Sequence, residues 1–105
     1  MRTRVIIESP YAGDLERNRE YTKRCMIDSI CRDEAPFASH MLYTQILDDT
    51  NPIERLTGIE CGFAWREGVL TVVYEDYGIS EGMQQGIDDA FFQGSDIAFR
   101  KIGVN

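Results

Sequence analysis

The residues that follow the most apolar strand of the chain are the best candidates for chemistry. Ser80, Glu81 and Gly82 come after the β-branched run Val69–Tyr74 and a turn, and they directly precede an amphipathic helix. Ser80 is a good N-cap residue, and the free N–H groups of a helix start, with their partial positive charge, suit a phosphate. The same residues would also make an ordinary capped helix with nothing bound, so the local sequence leaves both interpretations open.

A second loop with polar side chains follows the first predicted strand and contains Ser9, Pro10, Tyr11 and Gly13. Pro10 stops the strand, and Gly13 permits a tight turn. The Tyr11 hydroxyl could orient a carboxylate or a sugar oxygen, although a surface turn tyrosine is an equal alternative. Arg17, early in the next helix, could reach a phosphate or could instead pair with a neighbouring acid. We include all five residues in the candidate ligand site.

Further candidates lie in the irregular segment 40–50. His40, at a strand end, suits a base or a hydrogen-bond donor, and a purely structural histidine is an equal alternative. Asp48 and Asp49 could bind sugar hydroxyls or base edges, or could form a solvated turn. These side chains are therefore candidate ligand contacts from the middle of the chain.

Strand and helix signals alternate along the sequence. They predict strands at 4–9, 36–39, 69–74 and 96–102, and helices at 15–31, at 52–66 and after Ser80. With right-handed crossovers, the result is one α/β domain over residues 1–105, a three-layer flavodoxin-like or Rossmann-like fold with a parallel sheet of about four strands. In the order 2-1-3-4, the loops 9–14 and 76–82 face each other at the switch point, which is where we expect the pocket.

Helix starts and buried helix faces are also predicted. Asp14, Asn51 and Ser80 are expected to be N-caps. The apolar faces are expected to consist of Ile53, Leu56, Ile59 and Phe63 in the second helix, and of Met83, Ile87, Ala90 and Phe91 in the third.

Charge and cysteine content exclude several classes of function. The net charge of -7 argues against bulk nucleic acid or an anionic membrane as partners, because phosphate contacts need Lys and Arg. No apolar run approaches the roughly 18 residues of a membrane-spanning helix, and the N-terminal apolar stretch is too short for a signal peptide. Cys25, Cys31 and Cys61 form no C-x-x-C pair, and His40 is the only histidine. We therefore expect a cytoplasmic protein with reduced thiols, no metal and no cofactor.

Three segments carry a resemblance to a known family, namely the loop 9–11, the segment 40–49 and the segment 72–90, in which Ile79–Met83 is the best motif. They resemble the nucleoside 2-deoxyribosyltransferase-like family, above all its small phage and bacterial branch. The resemblance covers most of the chain. It implies a flavodoxin-like fold, a nucleoside or nucleotide pocket, and a location in a bacterial or phage-infected cell. Enzymes of the family cleave or transfer at the N-glycosidic bond of deoxynucleosides through a glutamate nucleophile and a helper aspartate. In its nucleotide hydrolases, the serine that matches Ser80 binds the 5′-phosphate.

The chain departs from this pattern at both carboxylates. Gly86 stands where the nucleophilic glutamate is usual, and the helper aspartate falls near Gly62, whose nearest acid is Glu60. Covalent glycosyl transfer needs a carboxylate against the anomeric carbon, and Gly86 has no side chain to supply one. The expected function is therefore the binding of a nucleoside or nucleotide, with Gly86 leaving room for a larger ligand.

The alternative is an active N-glycosidase or deoxyribosyltransferase that acts on deoxynucleosides or their 5′-monophosphates through a displaced carboxylate. Glu81 and Asp76 are the candidates for that carboxylate, with Tyr11 as a third catalytic candidate. A protein that binds another macromolecule and ignores nucleotides is a further alternative.

A homodimer is expected, mainly because members of the family that the chain resembles have their pocket near a subunit contact. A small sheet with thin helices also leaves apolar side chains such as Met41, Leu42 and Tyr43 without cover.

Overall fold

A computed structural model describes residues 1–104 of the chain, in which strands and helices alternate. The elements are β1 Thr3–Glu8, α1 Leu15–Cys31, β2 Glu34–Phe37, α2 Pro52–Ala64, β3 Leu70–Tyr74, α3 Glu81–Phe92 and β4 Ile97–Arg100. Two 3-10 turns, Ser39–Met41 and Tyr43–Gln45, occupy the irregular segment between β2 and α2. Among residues 1–104, none of the helices combines the length and the apolar character that crossing a bilayer requires.

The sheet has four strands in the order β2-β1-β3-β4, and every neighbouring pair is parallel. This arrangement confirms the predicted α/β fold class and the predicted strand order. The order reverses between β1 and β3, which pair directly, with Ile7 opposite Val72. The carboxyl ends of these central strands therefore meet at one edge, which is the place where open α/β sheets bind ligands.

The two faces of the sheet have different chemistry. On one face, Val5 and Ile7 of β1 and Val72 of β3 pack against Tyr21 and Cys25 of α1 in an apolar core. Because side chains alternate along a strand, the intervening residues Ile6, Glu8 and Thr71 point to the other face, which α3 covers. Arg66, two residues after the end of α2, bonds to Glu8 and Thr71 on this face. Glu8 and Thr71 make this second face partly polar, and the candidate site lies there.

The predicted helix starts are confirmed. The Asp14 side chain accepts the Arg17 N–H, the Asn51 side chain accepts the N–H groups of Ile53 and Glu54, and the Ser80 hydroxyl accepts the Met83 N–H. The predicted ends are less accurate, since β2 begins and ends two residues before the predicted 36–39, β4 is shorter than 96–102, and α2 ends before residue 66.

The predicted apolar face of α2 is wrong at Ile53 and Leu56, which are 78% and 56% exposed. A side chain at Gly58 would contact Tyr43, and one at Gly62 would overlap Ser39. These glycines lie one turn apart, so α2 approaches the 3-10 turns through its glycine stripe rather than through its branched residues. Ile53 and Leu56 consequently face solvent.

The predicted face of α3 is wrong at Phe91, which is 80% exposed. The buried stripe consists of Met83, Gly86 and Ala90. Phe91 follows Ala90 by one residue and is therefore rotated by about 100° around the helix, out of the packed face.

Candidate functional site

A cavity of about 230 Å³ opens at the carboxyl edge of the sheet, between the end of β1, the 3-10 turns, α2 and the start of α3. Its position is the predicted switch point between β1 and β3. The predicted site residues that line it are Ser9, Tyr11, His40, Asp49, Ser80, Glu81, Gly82 and Gly86. The fold thus brings together three segments that are far apart in sequence.

Five of the predicted site residues do not line the cavity, namely Pro10, Gly13, Arg17, Asp48 and Asp76. Pro10 and Gly13 shape the loop, and Gly13 has the positive φ of +99° that favours glycine. The Asp48 carboxylate accepts hydrogen bonds from the N–H and the hydroxyl of Thr50. Asp48 therefore forms a solvated turn, which is the alternative to a ligand contact.

Arg17 is held away from the cavity by its neighbours. Its guanidinium carbon lies 4.1 Å from the ring centroid of Tyr77, and its nitrogens donate to the Asn18 side chain. A cation stacked on an aromatic face in this way stabilises the loop, and the phosphate contact proposed from sequence does not form part of this cavity.

The contacts of Asp76 stabilise the fold. Its carboxylate accepts hydrogen bonds from the Tyr21 hydroxyl, at 2.6 Å, and from the backbone N–H groups of Ile102 and Gly103. Burial alone would raise its pKa, but these donors outweigh burial and lower the pKa to about 2. Asp76 is therefore an ionised anchor for the segment after β4, and its oxygens are occupied.

The start of α3 forms one wall of the cavity. The Ser80 hydroxyl accepts the Met83 N–H at 3.2 Å, so the residue is a true N-cap. The N–H groups of the first helical turn have no partner within the helix, and Glu81 is exposed at the mouth of the cavity. This wall can donate hydrogen bonds to an anion or to neutral oxygens.

His40 contributes a neutral ring to the opposite wall. Its Nε2 is hydrogen-bonded to the hydroxyls of Ser9, at 2.8 Å, and Thr22, at 3.3 Å. Burial lowers the pKa of His40 to about 4, so the ring is uncharged at neutral pH. The Tyr11 ring stands edge-on to His40, with the ring centroids 6.4 Å apart. His40 therefore orients the side chains of Ser9 and Tyr11 without adding positive charge to the cavity.

A buried ion-pair cluster that sequence reasoning missed lies under the cavity. The Arg66 side chain, 2% exposed, donates from Nη2 to Glu8 Oε1 at 2.8 Å and from Nε to Asp89 Oδ2 at 2.9 Å. Its Nη1 donates to Thr71 Oγ1 at 2.7 Å. Burial raises the pKa of Glu8, although the Arg66 charge opposes the shift. The available signal was an acid at the end of an apolar strand, directly before the Ser9 loop.

Both glycines at the carboxylate positions of the resembled family are packed against other side chains. A Cβ at Gly86 would stand 2.6 Å from Glu8 Oε2 and closer still to Oε1, and a Cβ at Gly62 would stand 2.6 Å from Ser39 Oγ. Glu8 and Ser39 both line the cavity. The space that a side chain at position 86 would need is therefore filled by the Glu8 carboxylate.

The fold and this cavity place the chain in the class of three-layer α/β proteins with a candidate ligand site at the sheet switch point. Residues 3–100 match the family described as Domain of unknown function (DUF7768). The chain belongs to that family. No curated protein and no solved structure matches it.

Proposed function

We propose that the chain binds a nucleoside or a nucleoside monophosphate in the cavity at the carboxyl edge of the sheet. The observation that carries the proposal is the meeting of the α3 start with the Ser9–Tyr11 loop around one cavity. The resemblance to nucleoside 2-deoxyribosyltransferases leads independently to the same residues.

The chemistry of the walls supports a ligand that is polar at one end and apolar at the other. Leu47, Ile59 and Phe63 supply apolar surface for a base. The α3 start and the nearby hydroxyls of Ser9 and Ser80 suit sugar and phosphate oxygens. Such a ligand would be met in the cytoplasm, which is the location expected from sequence.

The charges of the lining favour a ligand with little negative charge. The lining carries four carboxylates, those of Glu8, Asp49, Glu54 and Glu81, against two cations, Arg55 and Arg66. The three nitrogen groups of Arg66 are already bonded to protein oxygens, and the exposed Arg55 lies 3.9 Å from Asp49. A triphosphate would meet these carboxylates with no free buried cation to balance it. We therefore propose a nucleoside or a monophosphate, with the α3 start as the anion site.

A second candidate function is hydrolysis of the N-glycosidic bond. It is favoured by the presence of a carboxylate, that of Glu8, beside Gly86. Of the carboxylates considered from sequence, Glu81 lies at the exposed mouth and Asp76 lies outside the cavity. Chromatography of reaction mixtures would distinguish the two functions, since only a hydrolase releases free base.

A matched pair of substitutions at Ser80 tests the binding proposal. Asp and Asn are both good N-caps, so Ser80→Asp and Ser80→Asn should both retain α3, and only Ser80→Asp adds a negative charge at the helix start. Calorimetric titration with deoxynucleoside 5′-monophosphates should show binding to wild type and to Ser80→Asn, and a loss of about 10-fold or more with Ser80→Asp. Affinity for uncharged deoxynucleosides should change little. An absence of heat and of thermal shift with every nucleoside and monophosphate would refute the proposal.

We also propose a homodimer formed through the α2–α3 face rather than through residues 41–43. Of residues 41–43 only Leu42 is exposed, at 42%, because Met41 packs on the apolar core and Tyr43 accepts a hydrogen bond from Trp65. Leu56 and Phe92 instead line an open groove between α2 and α3 that adjoins the cavity. The groove also carries Arg55 and Asp88, opposite charges that could pair across a two-fold axis between two copies.

A further inference from the structure

We propose that Glu8 is the residue that recognises the sugar of the ligand, by accepting a hydrogen bond from a sugar hydroxyl, and that position 86 is glycine to leave room for this carboxylate. This inference rests on the proposed nucleoside or nucleotide site. It assigns a role to a residue that neither the sequence nor the family resemblance singled out.

The Glu8 side chain reaches the cavity by passing under α3. A Cβ on Gly86 would overlap both carboxylate oxygens of Glu8, so glycine at position 86 is a condition for the observed position of the carboxylate. By contrast, a Cβ on Gly82, one turn earlier in α3, would meet nothing within 4 Å. The close approach is therefore specific to the point where Glu8 lies.

The two oxygens of Glu8 have different environments. Oε1 accepts a hydrogen bond from Arg66 Nη2, which fixes the orientation of the carboxylate. Oε2 has no hydrogen-bond partner within residues 1–104, and every fully buried side-chain oxygen of that part of the chain does have one. Because Glu8 lines the cavity and its side chain is 13% exposed, Oε2 is open to the cavity.

The surroundings of Arg66 make this open oxygen rigid. Arg66 is also bonded to Asp89 and Thr71, so the guanidinium cannot follow Glu8 if the carboxylate moves. An acceptor that is held in place before the ligand arrives loses little conformational freedom on binding. If the ion pair had only a structural role, the bond from Arg66 to Oε1 would be enough, and Oε2 would not need to face the cavity.

The spacing along α3 places Glu8 next to a sugar. From Gly82, at the proposed anion site, to Gly86 the helix rises by about 6 Å, at about 1.5 Å per residue. In a nucleoside monophosphate the sugar is the group next to the phosphate. A phosphate at the start of α3 therefore directs the sugar along the helix toward Gly86, where the nearest carboxylate is that of Glu8.

The raised pKa of Glu8 is compatible with this role. Desolvation is the cause of the shift, and a desolvated carboxylate accepts a hydrogen bond from a hydroxyl more strongly than a solvated one does. The recognised group must be a donor, because an ether oxygen or a phosphate oxygen would oppose the Oε2 lone pairs.

The test compares ligands that differ only in their hydroxyls, namely a ribonucleoside 5′-monophosphate and its 2′-deoxy and 2′,3′-dideoxy analogues. Calorimetry with wild-type protein should give about 10- to 100-fold weaker binding for the dideoxy compound, which lacks both donors, than for the best of the other two. In Glu8→Gln the amide oxygen can still accept from Arg66, but an NH2 group that can only donate replaces the open acceptor. All three ligands should bind more weakly, and the preference for ligands with sugar hydroxyls should be reduced.

The outcomes separate this inference from the proposed function. Equal binding of all three compounds to wild type would overturn the role of Glu8 while leaving the nucleotide site intact, and this measurement needs no variant to fold. Discrimination that persists unchanged in Glu8→Gln would also overturn it. An absence of binding by every compound would overturn both proposals together.

Discussion

The substitution Gly86→Ala tests the packing of α3 on the Glu8 carboxylate directly. The added methyl would stand 2.6 Å from Glu8 Oε2 and closer to Oε1, well inside van der Waals contact. The carboxylate is the far end of a flexible side chain and can move, but movement separates it from Arg66, whose side chain is 2% exposed. The cost of the substitution is therefore the weakening of a buried ion pair.

Opposing contributions determine how far Gly86→Ala lowers the free energy of unfolding. Overpacking of this kind costs about 1–3 kcal/mol, and complete loss of one partner of a buried ion pair costs about 3–5 kcal/mol. Replacing glycine by alanine inside a helix stabilises the folded state by about 1 kcal/mol. We expect Gly86→Ala to lower the free energy of unfolding by about 1–3 kcal/mol, with a fall in Tm of roughly 4 °C or more for each kcal/mol.

Urea unfolding followed by circular dichroism would measure the effect, with Gly82→Ala as the matched control on the same helix. A Cβ at Gly82 meets nothing within 4 Å, so that variant should be as stable as wild type or slightly more so. In a Glu8→Ala background, Gly86→Ala should cease to destabilise, because the overlapping carboxylate is gone. A Gly86→Ala protein as stable as wild type, or an equal loss in both backgrounds, would refute the proposed packing.

The remaining predictions concern pH and assembly. Because burial lowers the pKa of His40 to about 4, the unfolded chain takes up a proton below about pH 6.5 that the native chain does not. Between pH 7 and pH 5, wild type should therefore lose about 1–2 kcal/mol more stability than His40→Gln, as urea midpoints at the two pH values would measure; equal slopes in both proteins would contradict this. Phe92 is 89% exposed, and if the α2–α3 face forms the dimer, Phe92→Ser should convert a dimer into a monomer in sedimentation velocity, whereas Ile27→Ser on α1 should not. A wild-type monomer at high concentration would exclude the dimer.

Much of the fold could be predicted from the sequence because its signals are local. The Ser80, Asn51 and Asp14 caps each bond to an N–H two or three residues away, and the apolar runs of the central strands are visible without knowing their partners. Alternating strands and helices, with right-handed crossovers, leave few sheet orders to consider. The general position of the cavity followed from that order.

The chemistry of the site depended on contacts between residues that are distant in sequence. Glu8 meets Arg66 across 58 positions, and Asp76 meets Tyr21 across 55. Glu8 ends one apolar strand and Asp76 follows another, so their local sequence does not reveal that one borders the cavity and the other anchors the last segment. The same is true of Arg17, whose stacking on Tyr77 removes it from the site.

The sequence by itself therefore determined the elements, their order and the edge of the sheet at which a ligand would bind, since hydrophobic period and helix capping operate over a few residues. The tertiary structure alone decided which side of α2 and α3 is buried. The glycines of these helices allow neighbouring side chains to come close, with Gly58 near Tyr43, Gly62 near Ser39 and Gly86 near Glu8. A hydrophobicity pattern does not show such contacts, because glycine has no side chain that would contribute to the pattern. For the same reason, only the folded chain revealed that the carboxylate beside Gly86 belongs to Glu8.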